Sequence, residues 1–370
     1  MKKRELMRNL ASGEKGAHKK SSVGKRILRI FGCTMAVIGV TLLLLVLFLY
    51  SAITIIVRGP SDTAKELFVY SMKETSVGGI LVDITMTPSE IEAMMSKKES
   101  GMDAEVLGGA ITDPGKIQIN INRDENTPGG DTSTEDDGDG IEIIPIKTGD
   151  FGNFKGSLMI VKDPTRLFVG VPDRYGEGAV GLSLRDMIRK YDAVGGVNGG
   201  GFKDEDGMQK GGIPKGLVIK DSEILWGDTA TRHSICGFGK DGILYVGSMT
   251  AREAVNAGVV DAVSFGPALI VNGQPVTEEH YLGTSLNPRT AIGQRADGAI
   301  LLLVIEGRSA SSLGATFDDL ITIFVTYGAV NATNLDGGYS SLMVCEGKDL
   351  TMNSYAYGER ILPNAILIRK

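Results

Sequence analysis

At 370 residues the chain is long enough for one sizeable domain with accessory segments, and 42% apolar with 23% charged residues is the composition of a protein with a packed core. The 50 glycines fall in short clusters without a triplet period, which excludes collagen and points to many tight loops. The net charge of −6 is uneven: residues 1–29 hold ten Lys and Arg against Glu5 and Glu14, leaving the rest at −14, an acidity that argues against nucleic acid as a partner of the globular part.

In chain order, residues 1–29 read as a basic cytoplasmic tail that sets topology and touches anionic headgroups. Residues 30–58 follow as a transmembrane signal-anchor helix. Cys33–Val57 is 25 residues without a charge, where about 20 suffice to cross the hydrocarbon core. The run is too long for a cleaved signal peptide and is followed by Arg58-Gly59-Pro60. Lys19, Lys20, Lys25, Arg26 and Arg29 precede it and Arg58 alone closely follows, so the expectation is a single-pass membrane protein, N-terminus in the cytoplasm and residues 58–370 outside.

Residues 59–122 form a juxtamembrane helical or accessory segment. Within it 62–98 reads as helical with a break at Thr87-Pro88. Residues 123–142 have the composition of an acidic linker, and Asp136, Asp137 and Asp139 lack the spacing of an EF-hand.

From 143 to 370 the texture is that of a folded domain. Strands are predicted at 156–161, 217–219, 299–305 and 365–368, the third apolar almost throughout, as a strand covered on both faces must be. Helices are predicted at 183–191 and 316–327, the second opened by Thr316. Strands outnumber helices, so the fold class is α+β, on a mixed β-sheet with glycine-rich loops. Cys236 and Cys345 are compatible with one bridge or with two separate thiols, and too few for a zinc site. His233 lies in a polar loop ahead of a strand, whereas His18 and His280 have no motif around them.

Five clusters combine glycine with polar side chains beside strand-like runs: Val197-Asn198-Gly199-Gly200-Gly201-Phe202, Ser264-Phe265-Gly266-Pro267-Ala268, Asn287-Pro288-Arg289-Thr290-Ala291-Ile292-Gly293, Glu306-Gly307-Arg308 and Asn334-Leu335-Asp336-Gly337-Gly338-Tyr339-Ser340-Ser341. Glycine lets backbone N–H groups approach an anion, and an arginine fork suits a phosphate or carboxylate. Each cluster alone is equally a plain turn, and none matches a Walker or dinucleotide fingerprint.

Together and in this order they resemble the phosphodiester glycosidase family, from about Gly149 to the C-terminus, with Gly216-Leu217-Val218-Ile219, Asp241-Gly242, Asp297-Gly298, Arg360 and Pro363-Asn364-Ala365 also in place. Two positions depart from the family pattern: Tyr339 stands where a third glycine is usual, and Glu306 where Asp precedes Gly-Arg. The resemblance implies a hydrolase acting on a sugar-1-phosphodiester in a cell-surface or exopolysaccharide glycan. It implies Asp336 and Glu306 as catalytic carboxylates, and Arg289, Asn198, Gly199, Gly200, Asn334, Gly337 and Gly338 as phosphate or substrate contacts. A phosphate leaves readily, so one carboxylate can suffice. Oxygen ligands around Asp336 leave room for a divalent cation, calcium or magnesium. The same pocket serves two other readings, a glycosyl or phosphoglycosyl transferase and a non-catalytic glycan-binding protein, the latter favoured by Tyr339.

Overall fold

The computed structural model describes residues 2–73, 76–94, 110–119, 140–203, 210–276, 286–309, 311–352 and 358–370. Most of the acidic linker, 123–139 with Asp136, Asp137 and Asp139, lies outside the described residues, as do 95–98 and His280. The chain forms two compact units, one of residues 1–65 and 83–86, the other of 66–82 and 87–370.

The first unit is built on α1 (Lys2–Arg58), whose stretch Arg26–Arg58 is long and apolar enough to cross a membrane. In chain order α2 (Asp62–Lys73), α3 (Ser76–Thr85) and α4 (88–94) follow, with 66–82 and all of α4 counted in the second unit. The break expected at Thr87-Pro88 is present. Thr87 and Glu90 cap α4 reciprocally, the Thr87 N–H donating to Glu90 Oε2 at 2.8 Å and the Glu90 N–H to Thr87 Oγ1 at 3.4 Å.

In the second unit the strands form three sheets, and every described pairing is antiparallel. The first contains β1 (Ile141–Ile146), β2 (Gly156–Val161), β10 (Ala268–Val271), β11 (Gln274–Pro275), β12 (Arg289–Arg295), β13 (Ile300–Ile305) and β14 (Ala329–Leu335), in the order β1-β2-β13-β12-β14-β10-β11. The second contains β3 (Leu167–Gly170), β4 (Gly195–Asn198), β15 (Met343–Cys345), β16 (Lys348–Asp349) and β17 (Ala365–Ile368), in the order β16-β15-β4-β17-β3. The third contains β5 (Val218–Lys220), β6 (Glu223–Trp226), β7 (Arg232–Gly239), β8 (Leu244–Thr250) and β9 (Val259–Ser264), in the order β6-β5-β9-β7-β8.

The α+β expectation holds, and side-chain alternation explains the layering. Ile300, Leu302 and Val304 of β13 enter a core shared by all three sheets, with Val197, Ile366, Val218 and Val263. Leu301, Leu303 and Ile305 turn to the opposite face, where they meet Leu320, Ile323 and Phe324 of α7 (Phe317–Thr326). Each such fully buried aliphatic side chain contributes about 1.5–3 kcal/mol. Helix α5 (Leu184–Lys190) covers the second sheet through Leu184 and Met187, and α6 (Ala251–Asn256) the third through Ala251 and Ala254. Thr316 caps α7 in a reciprocal box with Asp319, as its position ahead of the apolar run predicts.

Two boundaries differ from the sequence reading. Residues 110–119, expected in the accessory segment, lie along the third sheet: the Thr112 N–H donates to Val246 O at 3.1 Å and its hydroxyl to Leu244 O at 3.0 Å. β1 begins at Ile141, inside the expected linker, because Ile141 and Glu142 pair with Val161 and Ile160. Cys236 and Cys345 are buried and form no disulfide bridge with each other.

Candidate active site

The strands β4 and β14 belong to different sheets, and the residues at and just beyond their C-terminal ends are tied together. The Asp336 N–H donates to Gly199 O at 3.0 Å, while Asn198 Nδ2 donates to Asp336 O at 2.5 Å. Asn198 Oδ1 accepts the Thr290 hydroxyl at 2.7 Å and the Leu342 N–H at 3.2 Å. Asn198 is fully buried and joins both sheets, so it positions Asp336 through its main chain. β4 is confined between β15 and β17: a Cβ on Gly195 would lie 2.4 Å from Val344 O, and one on Gly196 2.2 Å from Ile366 O.

The Asp336 carboxyl is half-buried and pushed up to about 6, chiefly because burial penalises its charged form. A hydrogen bond from Ser340, the Arg360 charge, the Gly337 N–H and the Lys215 charge oppose that shift. Lys215 arrives through pairing of 201–203 with 213–215, in which Lys203 N–H donates to Ile213 O and Lys215 N–H to Gly201 O, both at 2.9 Å. The Arg360 guanidinium lies over the Phe202 ring, 5.0 Å from its centroid. Lys215 was not anticipated from sequence, since no motif surrounds it and only the loop pairing brings it beside Asp336. The charges of Arg360 and Lys215 both act on the carboxylate, an electrostatic setting that suits an anionic ligand.

The four glycines expected to present N–H groups to a phosphate require correction. Gly199 N–H donates to Asn364 O at 3.2 Å and Gly200 N–H to Asn364 Oδ1 at 2.6 Å. Gly337 N–H donates to Asp336 Oδ1 at 3.1 Å and Gly338 N–H to Pro288 O at 2.9 Å. These donors shape the loops. Gly338 also adopts φ +62°, the left-handed region that favours glycine.

Arg289 opens β12 on the face covered by α7, with Ala291, while Thr290 between them faces Asn198. Its Nε donates to Ala315 O at 3.1 Å and its guanidinium lies over Phe317, 4.3 Å from the ring centroid. Asn334 is buried: Nδ2 donates to Gly266 O and its main-chain N–H to Pro267 O, both at 3.0 Å, at the cis Gly266–Pro267 bond. Glu306 binds Lys155 Nζ at 3.3 Å and accepts the Met352 N–H at 2.9 Å, so its partners are separate from those of Asp336. His233 lies in β7 opposite Met249.

A family model described as phosphodiester glycosidase matches residues 191–369. The SPbeta prophage-derived uncharacterized protein YomE of Bacillus subtilis (strain 168) is 30% identical over 192 residues, covering 50% of this chain and 28% of that protein. The N-acetylglucosamine-1-phosphodiester alpha-N-acetylglucosaminidase of Mus musculus is 24% identical over 221 residues, covering 54% of this chain and 41% of the mouse protein. The chain thus spans less than half the length of these relatives. The catalytic domain of the zebrafish N-acetylglucosamine-1-phosphodiester alpha-N-acetylglucosaminidase, solved auto-inhibited by its pro-peptide, superposes with a TM-score of 0.50 at 21% identity, over 62% of this chain and 82% of that one. The segment that carries Asp336, Arg360 and Lys215 is thus the segment similar to the phosphodiester glycosidase family.

Proposed function

We propose that the domain hydrolyses a sugar-1-phosphodiester, with Asp336 as the proton acceptor and the adjoining cations as the phosphate anchor. The observation that carries this reading is a half-buried carboxyl at about 6 on which the charges of Arg360 and Lys215 act. A base with that affinity is mostly ionised at neutral pH and takes a proton readily. In the reaction the bond from sugar C1 to the phosphate oxygen breaks and its electron pair leaves with the phosphate as a monoester. Water delivers hydroxyl to C1, and its proton passes to Asp336. Fixed cations stabilise the charge that grows on the leaving oxygen. The mouse relative, named for a sugar-1-phosphodiester, supports the substrate class.

The substrate polymer is a cell-surface or exopolysaccharide glycan, a reading supported by the apolar stretch of α1, which suits a membrane anchor, and by the basic residues before it, which favour a cytoplasmic N-terminus. Protease added outside intact cells should digest the domain; protection until the cells are lysed would reverse the topology.

The reaction is tested by release of free sugar from a panel of methyl-capped sugar-1-phosphodiesters by the full chain in detergent micelles. Hydrolysis abolished by Asp336→Asn supports the proposal. Sugar passing to an added acceptor glycan in place of water would make the protein a transferase, and binding without turnover by folded protein would make it a glycan-binding module.

A further inference from the structure

Arg308 is the residue whose chemistry is not accounted for by the contacts inside the domain. Its backbone holds φ +57°, a left-handed conformation that costs a non-glycine residue about 1 kcal/mol or more and persists only where surroundings enforce it. Its guanidinium lies over the Tyr339 ring, 4.2 Å from the centroid, and a Cβ added to Gly338 would come within 3.3 Å of Nη2. Nη1 is buried and has no hydrogen-bond partner among the described residues. A buried charged donor left without an acceptor calls for a ligand that supplies one. Two further buried polar atoms without such a partner, Asn334 Oδ1 and Ser341 Oγ, belong to the same segment around Asp336. Arg289, by contrast, is engaged with Ala315 and Phe317.

We infer that Arg308, oriented by Tyr339, holds the phosphate of the substrate, its Nη1 donating a charge-assisted bond to a phosphate oxygen. The tyrosine that replaces a glycine of the family pattern is then a platform for the guanidinium: the ring restrains the fork, and a restrained, planar fork suits paired N–H donation to a phosphate. This rests on the proposed reaction only for the identity of the phosphate. The anion site itself rests on the geometry of Arg308.

The test is calorimetric binding of inorganic phosphate and of dimethyl phosphate to the full chain in detergent micelles. Wild type should bind both. Arg308→Ala should bind at least about tenfold more weakly, the effect of losing a bond to a charged group. Arg308→Lys should fall between, Tyr339→Ala should weaken binding, and Tyr339→Phe should not. Melting temperatures identify folded variants, and if Arg308→Ala does not fold, Arg308→Lys and Tyr339→Ala carry the comparison. No binding by wild type, binding of inorganic phosphate alone, or Arg308→Ala binding as wild type while Arg289→Ala does not, would each overturn the inference. Binding is read without turnover, so intact anion binding with no sugar released from any diester would defeat the proposed reaction and leave this site standing.

Discussion

The side-chain amide of Asn198 donates to the main-chain carbonyl of Asp336 at 2.5 Å, across the junction of two sheets. This bond and the Asp336 N–H on Gly199 O fix the main chain of the proposed base from both sides. Asn198→Ala is predicted to lower kcat at least tenfold with little change in KM, because small errors in the placement of a reacting group slow the chemistry steeply. It also strands the Thr290 hydroxyl and the Leu342 N–H, at about 1–3 kcal/mol for each buried group left unsatisfied. Steady-state kinetics and a urea melt on the same preparation check both effects.

The pH dependence follows from the sign of the Asp336 shift. Its carboxyl is raised to about 6, so the base is lost as pH falls, and kcat/KM is predicted to rise with pH and level off above about 6. Stability runs the other way. Holding this carboxylate charged in the folded state is unfavourable, fully so above the folded value and not at all below the ordinary value of 3.8. Asp336→Asn should therefore melt higher than wild type at pH 7.5, with the difference closing by about pH 4. A rate profile without a limb near 6 would remove Asp336 from the role of base.

The two carboxylates expected to act as a pair are predicted to behave differently. Glu306→Gln keeps an acceptor for the Met352 N–H and loses the charge facing Lys155. It should retain most of the activity, whereas Asp336→Asn should lose at least a hundredfold, within the range for a removed acid–base group. Equal losses in kcat for the two variants would restore the two-carboxylate mechanism.

A stability prediction concerns a site remote from the chemistry. Asp261 is buried and accepts the Val169 N–H at 2.9 Å, the Asp221 N–H at 2.8 Å and Lys220 Nζ at 2.9 Å, linking the second and third sheets. Asp261→Ala removes the anion from a mostly buried lysine and should cost about 3–5 kcal/mol. Denaturant unfolding measures it, and a loss under 1 kcal/mol would show that water replaces the carboxylate.

Local pattern made much of the fold legible. The charge-free run from Cys33 to Val57 falls within one long helix, the apolar run at 299–305 is a strand covered on both faces, and Thr316 ahead of Phe317 opens a helix, since each property is carried by near neighbours in the chain. The ordered motifs also marked the segments that meet at Asp336. Tertiary structure alone decided how their atoms are used. Whether a glycine N–H is free for a ligand depends on an acceptor such as Asn364, far along the chain, and whether Arg289 or Thr290 faces Asn198 depends on strand register. The cations beside Asp336 converge through a loop pairing and an aromatic support that no short stretch of sequence encodes, because the groups that settle a side chain's partners come from segments brought together only by folding.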